Sequence, residues 1–193
     1  MKMTPHLKNC RGFSLIEVLV TLVIFTFLAA AINTVLHVGT SSWQNNSIEV
    51  ELQQDLRQAM FWMKNDIQQT GSASLDARVP INVVSDFSWS NYDTIDFQKV
   101  IGATNGVVTW SSDTTDYTRE SDPSDPDYNK LRRTVGTGNP QLIAENISSI
   151  QARRLYTSSD VVEIALQVQK KTLAGAQGRT ITLILNFKVQ LRN

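Results

Sequence analysis

Residues 9–39 read NCRGFSLIEVLVTLVIFTFLAAAINTVLHVG, and one acid, Glu17, stands inside an otherwise apolar run of membrane length. From Phe13 to Leu36 there are 24 residues with that single charge. At about 1.5 Å of rise per residue they reach across a hydrocarbon core of roughly 30 Å, which predicts a transmembrane helix. An ionised carboxylate costs several kcal/mol in hydrocarbon, so an acid in such a helix calls for a functional reading and a named partner. The flank before it, MKMTPHLKNCRG, is short and basic, which by the positive-inside rule keeps the amino terminus cytoplasmic and sends everything after Gly39 across the membrane. A secretory signal peptide also starts with basic residues and an apolar run. There the apolar core is shorter, about 7 to 15 residues, and cleavage follows it at small residues. Here the junction, Gly12-Phe13, lies before the apolar run, so cutting there removes the charges and keeps the helix.

The stretch RGFSLIEVLVTLVIF resembles the processing and methylation signature of type IV pilins and type II secretion pseudopilins. The resemblance implies that Gly12 is the last leader residue, that Phe13 is the new amino terminus and the site of N-methylation, and that Glu17 is the acid at the fifth mature position. Phe13 and Glu17 are four apart and so share one face of a helix. In the family, apolar helices bundle into a filament and the acid meets the protonated terminal amine of a neighbour. Breaking a pair desolvated in that way costs roughly 3 to 5 kcal/mol, which makes Glu17 a registry device. The plainer reading of Glu17 is a side chain one turn into the helix that snorkels to the membrane face. Major pilins often carry a proline near the end of the spanning part. AAAINTVLHVG has none, which favours a minor subunit or pseudopilin.

Beyond the membrane, Ile48, Leu52, Leu56, Ala59, Met60, Met63 and Ile67 recur at spacings of three and four, an amphipathic stripe suited to packing on a globular head. Gly71 would end that helix as its C′ residue, and Gly39 and Ser41-Ser42 are the expected places for a bend. The period then changes to two. Strands are expected at 94–100, 106–110, 130–135, 147–156, 161–170 and 180–191, with Asn105-Gly106 as a hairpin turn and Gly175, Gln177 and Gly178 in the connection before the last strand. The expected fold is α+β, pilin-like: a long membrane-spanning helix continuing into an amphipathic helix packed on a head of five to seven mostly antiparallel strands. The expected organisation is a leader peptide at 1–12, a transmembrane and filament-core helix at 13–38, an amphipathic continuation at 39–71 and a β-rich head at 72–193. The closing region from Leu142 onward resembles the carboxy-terminal half of J-type pseudopilins and W-type minor pilins.

Composition excludes several classes. With 41% hydrophobic and 19% charged residues in 193, the chain suits one globular domain plus an appended element and is no disordered tail. Lys2, Lys8 and Arg11 precede Gly12, leaving 15 basic side chains against 18 acidic ones from Phe13 onward, an unfavourable balance for nucleic acid. The single cysteine, Cys10, lies in the leader, so the mature chain has no disulfide and no thiol nucleophile. The only histidines, His6 and His37, lie outside the head, so no Ser-His-Asp or histidine-metal centre can form there, and no catalytic residue is expected. Lone acids such as Asp66 and Glu163 are expected to face solvent. Asn45 and Asn146 open short glycosylation sequons.

The run SSDTTDYTRESDPSDPDYNK, residues 111–130, holds six acids and two prolines and reads as a loop. Clustered carboxylates there make Asp113, Asp116, Asp122, Asp125 and Asp127 candidate calcium ligands, although the run lacks an EF-hand spacing. The bland reading is a solvated connection. No other cofactor is expected.

The resemblance implies a structural, assembly-priming subunit held in the bacterial inner membrane, head periplasmic, then drawn into a pilus or pseudopilus. Its implied partners are other minor pilins or pseudopilins, a major pilin, a prepilin peptidase, the inner-membrane assembly platform and, before assembly, lipid. A competing expectation is a filament-tip module for DNA uptake or adhesion, with Arg132, Arg133, Arg153 and Arg154 as its basic residues. Consecutive arginines on a strand point to opposite faces, which halves such a cluster. A third expectation is a membrane-anchored β-domain that never polymerises and keeps Met1.

Overall fold

The computed structural model describes residues 14–70, 81, 83, 88–104, 107–154, 160–172 and 179–191. The leader, Phe13, Gly71, the Asn105-Gly106 pair and the connection at 173–178 lie outside the described residues. The chain divides into two compact units, Met1–Gln44 and Asn45–Asn193. A single helix, α1 (Leu15–Ile67), supplies the first unit and continues as the first element of the second. It is continuous through Gly39, Ser41 and Ser42.

Among the described residues of the second unit α1 is followed by eight strands: β1 (Ser90–Tyr92), β2 (Thr94–Thr104), β3 (Val107–Arg119), β4 (Leu131–Val135), β5 (Gln141–Ala144), β6 (Ile147–Arg154), β7 (Val161–Lys171) and β8 (Thr180–Gln190). They form two four-stranded antiparallel sheets, ordered β2-β3-β4-β5 and β1-β6-β7-β8. The α+β expectation holds, and the strand list needs correction in two places. Residues 111–119 belong to strand β3, not to a loop. The short strands β1 and β5 were not anticipated. β2 and β3 pair antiparallel as far as Thr104 and Val107, while the turn expected at Asn105-Gly106 lies outside the described residues.

The core forms where the helical stripe meets both sheets. Leu52, Leu56, Ala59, Met63 and Ile67, spaced four, three, four and four, are buried with Ile95 and Phe97 of β2, Tyr117 of β3, Ile150 and Ala152 of β6, and Val162, Ile164, Leu166 and Val168 of β7. Each large aliphatic side chain fully buried in this way contributes roughly 1.5 to 3 kcal/mol. Phe97 and Tyr117 stack at 6.2 Å. Phe61, on the opposite face of the helix, is exposed. The helix ends by tightening: Gln69 N–H and Thr70 N–H donate three residues back, to Asp66 and Ile67 carbonyls.

Among the described residues three positions take left-handed backbone: Asn129, Asn146 and Gly136. Asparagine tolerates that region, and both asparagines are tied in: Asn129 C=O accepts from Ile147 N–H, and Asn146 Nδ2 donates to Asp55 on α1 at 3.0 Å. The sequon at Asn146 therefore has its amide engaged inside the head. Gly136, at φ 54°, follows β4, and a Cβ there would lie 2.9 Å from Asp113 Cγ. Gly136→Ala is expected to destabilise the head by about 1 to 2 kcal/mol, read as a lowered midpoint in chemical unfolding. An unchanged midpoint would show that the turn relaxes freely.

Candidate functional site

The amino-terminal helix is built to be surrounded by something other than water. Every described large apolar side chain from Leu15 to Val38 is at least half exposed, and none of the membrane-length window is buried within the chain. It is the one described helix long and apolar enough to cross a membrane. Its polar groups are mostly satisfied internally. Thr21, Thr26 and Thr34 return their hydroxyl hydrogens to Val18, Leu22 or Val23, and Ala30 carbonyls of the same helix at 2.8–3.0 Å. Glu17 remains the only ionisable side chain between Ser14 and Leu36. It sits in the first turn, where Glu17 N–H and Val18 N–H both donate to the Ser14 carbonyl and a negative charge is favoured by the helix dipole.

The head contains two ionic centres that sequence reasoning missed. Asp66 and Glu163, expected to face solvent, are 2% and 5% exposed. Asp66 lies at the end of α1, where Lys99 Nζ of β2 donates at 2.7 Å, Tyr117 Oη of β3 at 2.7 Å and Arg133 Nε of β4 at 2.5 Å. Arg133 also lies over the Trp62 ring at 5.4 Å. Burial alone would raise the Asp66 pKa. The hydrogen bonds from Arg133, Lys99 and Tyr117 outweigh it and hold the carboxyl below the usual carboxylate range. In the other sheet, Arg153, Glu163 and Lys188 face one another across β6, β7 and β8. Hydrogen bonds from Lys188 and Arg153 likewise depress the Glu163 pKa. Both centres saturate their acids with internal donors, which suits them to fastening elements together and leaves no free base or nucleophile. The signal available in the sequence was position alone: Asp66 falls on the same face as Ala59 and Met63.

The five calcium candidates are not brought together. Asp113 and Asp116 are on strand β3, and Asp116 faces Thr134 and Asp96 across its neighbours. Asp122 caps its own turn by accepting from Ser124 N–H at 2.9 Å and Oγ at 2.7 Å, which lowers its pKa. Asp125 accepts from Asp127 N–H, and Asp127 pairs with Lys130 and Arg132. Among the described residues no group of three or more His, Cys, Asp or Glu side chains is arranged to hold a metal ion. The four arginines are dispersed as well. Arg132 pairs with Asp127, Arg133 with Asp66, and Arg153 with Glu163 beneath the Trp89 ring at 4.5 Å, while Arg154 is buried near the charge of Asp160. They make no common basic face.

Residues 7–33 match the family model of the prokaryotic N-terminal methylation motif, the signature of type IV pilins and pseudopilins. The matched segment contains Gly12, Phe13 and Glu17. No curated protein and no solved structure matches the chain. The motif supports a precursor of the pilin or pseudopilin kind, a structural and not a catalytic class, and it accords with an apolar helix able to anchor the chain in a membrane.

Proposed function

We propose that this chain is a minor pilin or pseudopilin, a structural subunit that primes assembly of a type IV pilus or a type II secretion pseudopilus. In this reading it enters the inner membrane with its amino terminus cytoplasmic and its head periplasmic. A prepilin peptidase cuts after Gly12 and methylates Phe13, and an assembly platform draws the helix into a filament with other minor subunits and a major pilin. The observation that carries the reading is the combination at one end of the chain of a basic segment ending in Gly12, an acid at Glu17, and a helix whose apolar side chains are exposed among the described residues. The head's saturated acids and the dispersed arginines favour a structural role over a nucleic-acid module.

Mass spectrometry of sheared surface filaments and of the membrane fraction tests this. The expected result is a peptide beginning with methylated Phe13. Trace amounts in sheared filaments indicate a surface pilus, and processed protein confined to the membrane fraction indicates a secretion pseudopilus. A chain that keeps Met1 in both fractions refutes the reading and leaves the anchored, unpolymerised β-domain.

A further inference from the structure

The edges of the two sheets are treated very differently. β2 is irregular, with two register shifts in its pairing with β3, and its outer edge is bridged by Ile81 at Phe97 and capped where Val100 N–H donates to the Gln69 carbonyl. The edge strands β1 and β5 are three and four residues long. Short strands, bulges and covering contacts are the ordinary protections against edge-to-edge pairing. Among the described residues β8 has none of them. It runs eleven residues, pairs with β7 in unbroken register from Thr180 to Gln190, contains no proline and no acid, and has no second strand beside it among the described residues. Its one charge, Lys188, is engaged by Glu163.

The same strand is where core burial stops halfway. On β7, Val162, Ile164, Leu166 and Val168 are fully buried. Their neighbours one strand out, Phe187, Leu185 and Leu183, pack on the core and, with Ile181, are only partly covered. An open row of backbone groups and a half-covered apolar row therefore lie on one edge, and an added strand would complete both.

We infer that β8 is a docking strand for a second copy of this chain, joined β8 to β8 in antiparallel register about a two-fold axis at Leu185. The strand is self-complementary in that register, which pairs all eleven residues. Ile181 meets Val189, Leu183 meets Phe187 and Leu185 meets itself on the core face. On the outer face Thr180 meets Gln190, Ile184 meets Asn186 and Thr182 meets Lys188, so no like charges oppose each other. The interface is isologous and closes as a dimer, with the two sheets continued into one. The inference concerns the head and does not depend on processing at Gly12.

The full chain in detergent micelles tests it, in a Cys10→Ser background that removes the native thiol. Ile184→Cys is expected to cross-link into dimers with a short bis-maleimide, and Thr109→Cys, exposed on β3, is the comparison site. Thr182 is exposed and outside the core, so its variants report on docking. Thr182→Lys places like charges opposite Lys188 twice per dimer and should weaken self-association by about tenfold, whereas Thr182→Glu should not weaken it. Equal weakening by both variants, or no more cross-linking at residue 184 than at residue 109, overturns the inference.

Discussion

Replacing Asp66 with alanine is expected to lower the unfolding free energy of the head by about 3 to 5 kcal/mol, the cost of removing one partner from a buried ion pair. Its carboxylate is 3% exposed and receives hydrogen bonds from three strands of one sheet, through Lys99, Tyr117 and Arg133. Removing it leaves two cations and a phenol around a void, with side chains of Lys99 and Arg133 only 22% and 17% exposed. For a head of this size the loss corresponds to a fall in midpoint of about 10 °C. Thermal unfolding of the full chain in detergent, followed by circular dichroism, reads it. A fall of less than about 2 °C would mean that the α1 stripe alone fixes the helix on that sheet. The same centre sets a pH dependence. Because the folded Asp66 pKa is depressed, its contribution is present above the unfolded value of about 4 and is lost as pH falls through the folded one. The gap between wild type and Asp66→Asn should therefore narrow below about pH 4. Burial, reinforced by Asp66, raises the Tyr117 pKa, so the stability it contributes is lost only as pH rises beyond about 10.

The parts of this molecule that could be read from the chain are those whose physics is local. An apolar run, its basic flank and a glycine-aromatic junction are contiguous, and the helical stripe from Leu52 to Ile67 repeats within one element. The antiparallel neighbours β2 and β3, which pair as far as Thr104 and Val107, are likewise close in the chain. The Asp66 centre was hidden because its cations lie 33 and 67 positions away, on different strands. Residues 111–119 misled through composition: acids, serines and threonines suggest a loop. Period two was nevertheless present, with Thr115 and Tyr117 turned to the core and Asp116 and Thr118 away from it. A strand whose outer face is all short polar residues looks like a loop until its partners are known, and here those are β2 and β4. The five aspartates failed to form one site for the same reason. Asp113 and Asp116 belong to β3, while Asp122, Asp125 and Asp127 are engaged within the turn at 120–130 by Ser124, by the Asp127 N–H, and by Lys130 and Arg132.

Substituting Glu17 tests the assembly reading at the position where it commits itself most. In water or at a headgroup surface this side chain would need no explanation. In α1 it stands in the first turn of a helix whose other ionisable groups are absent as far as Leu36, and among the described residues no ion pair engages it. Phe13, four positions earlier, would carry the terminal amine after cleavage. Within one helix that spacing holds amine and carboxylate about a turn apart. Between staggered neighbours in a bundle it lets one subunit's carboxylate meet the next subunit's amine, which N-methylation leaves cationic. Loss of one partner at about 3 to 5 kcal/mol corresponds to roughly two to nearly four orders of magnitude in an association constant. Glu17→Ala is accordingly expected to yield the normal peptide beginning at methylated Phe13 in the membrane fraction while its share in filaments falls by about a hundredfold or more. Glu17→Gln, which keeps the shape and loses the charge, should fall nearly as far, since an amide cannot neutralise an ammonium. Quantitative mass spectrometry of both fractions reads both variants. Filament incorporation of Glu17→Ala at the wild-type level would leave the acid as a snorkelling side chain and remove it from the assembly contact.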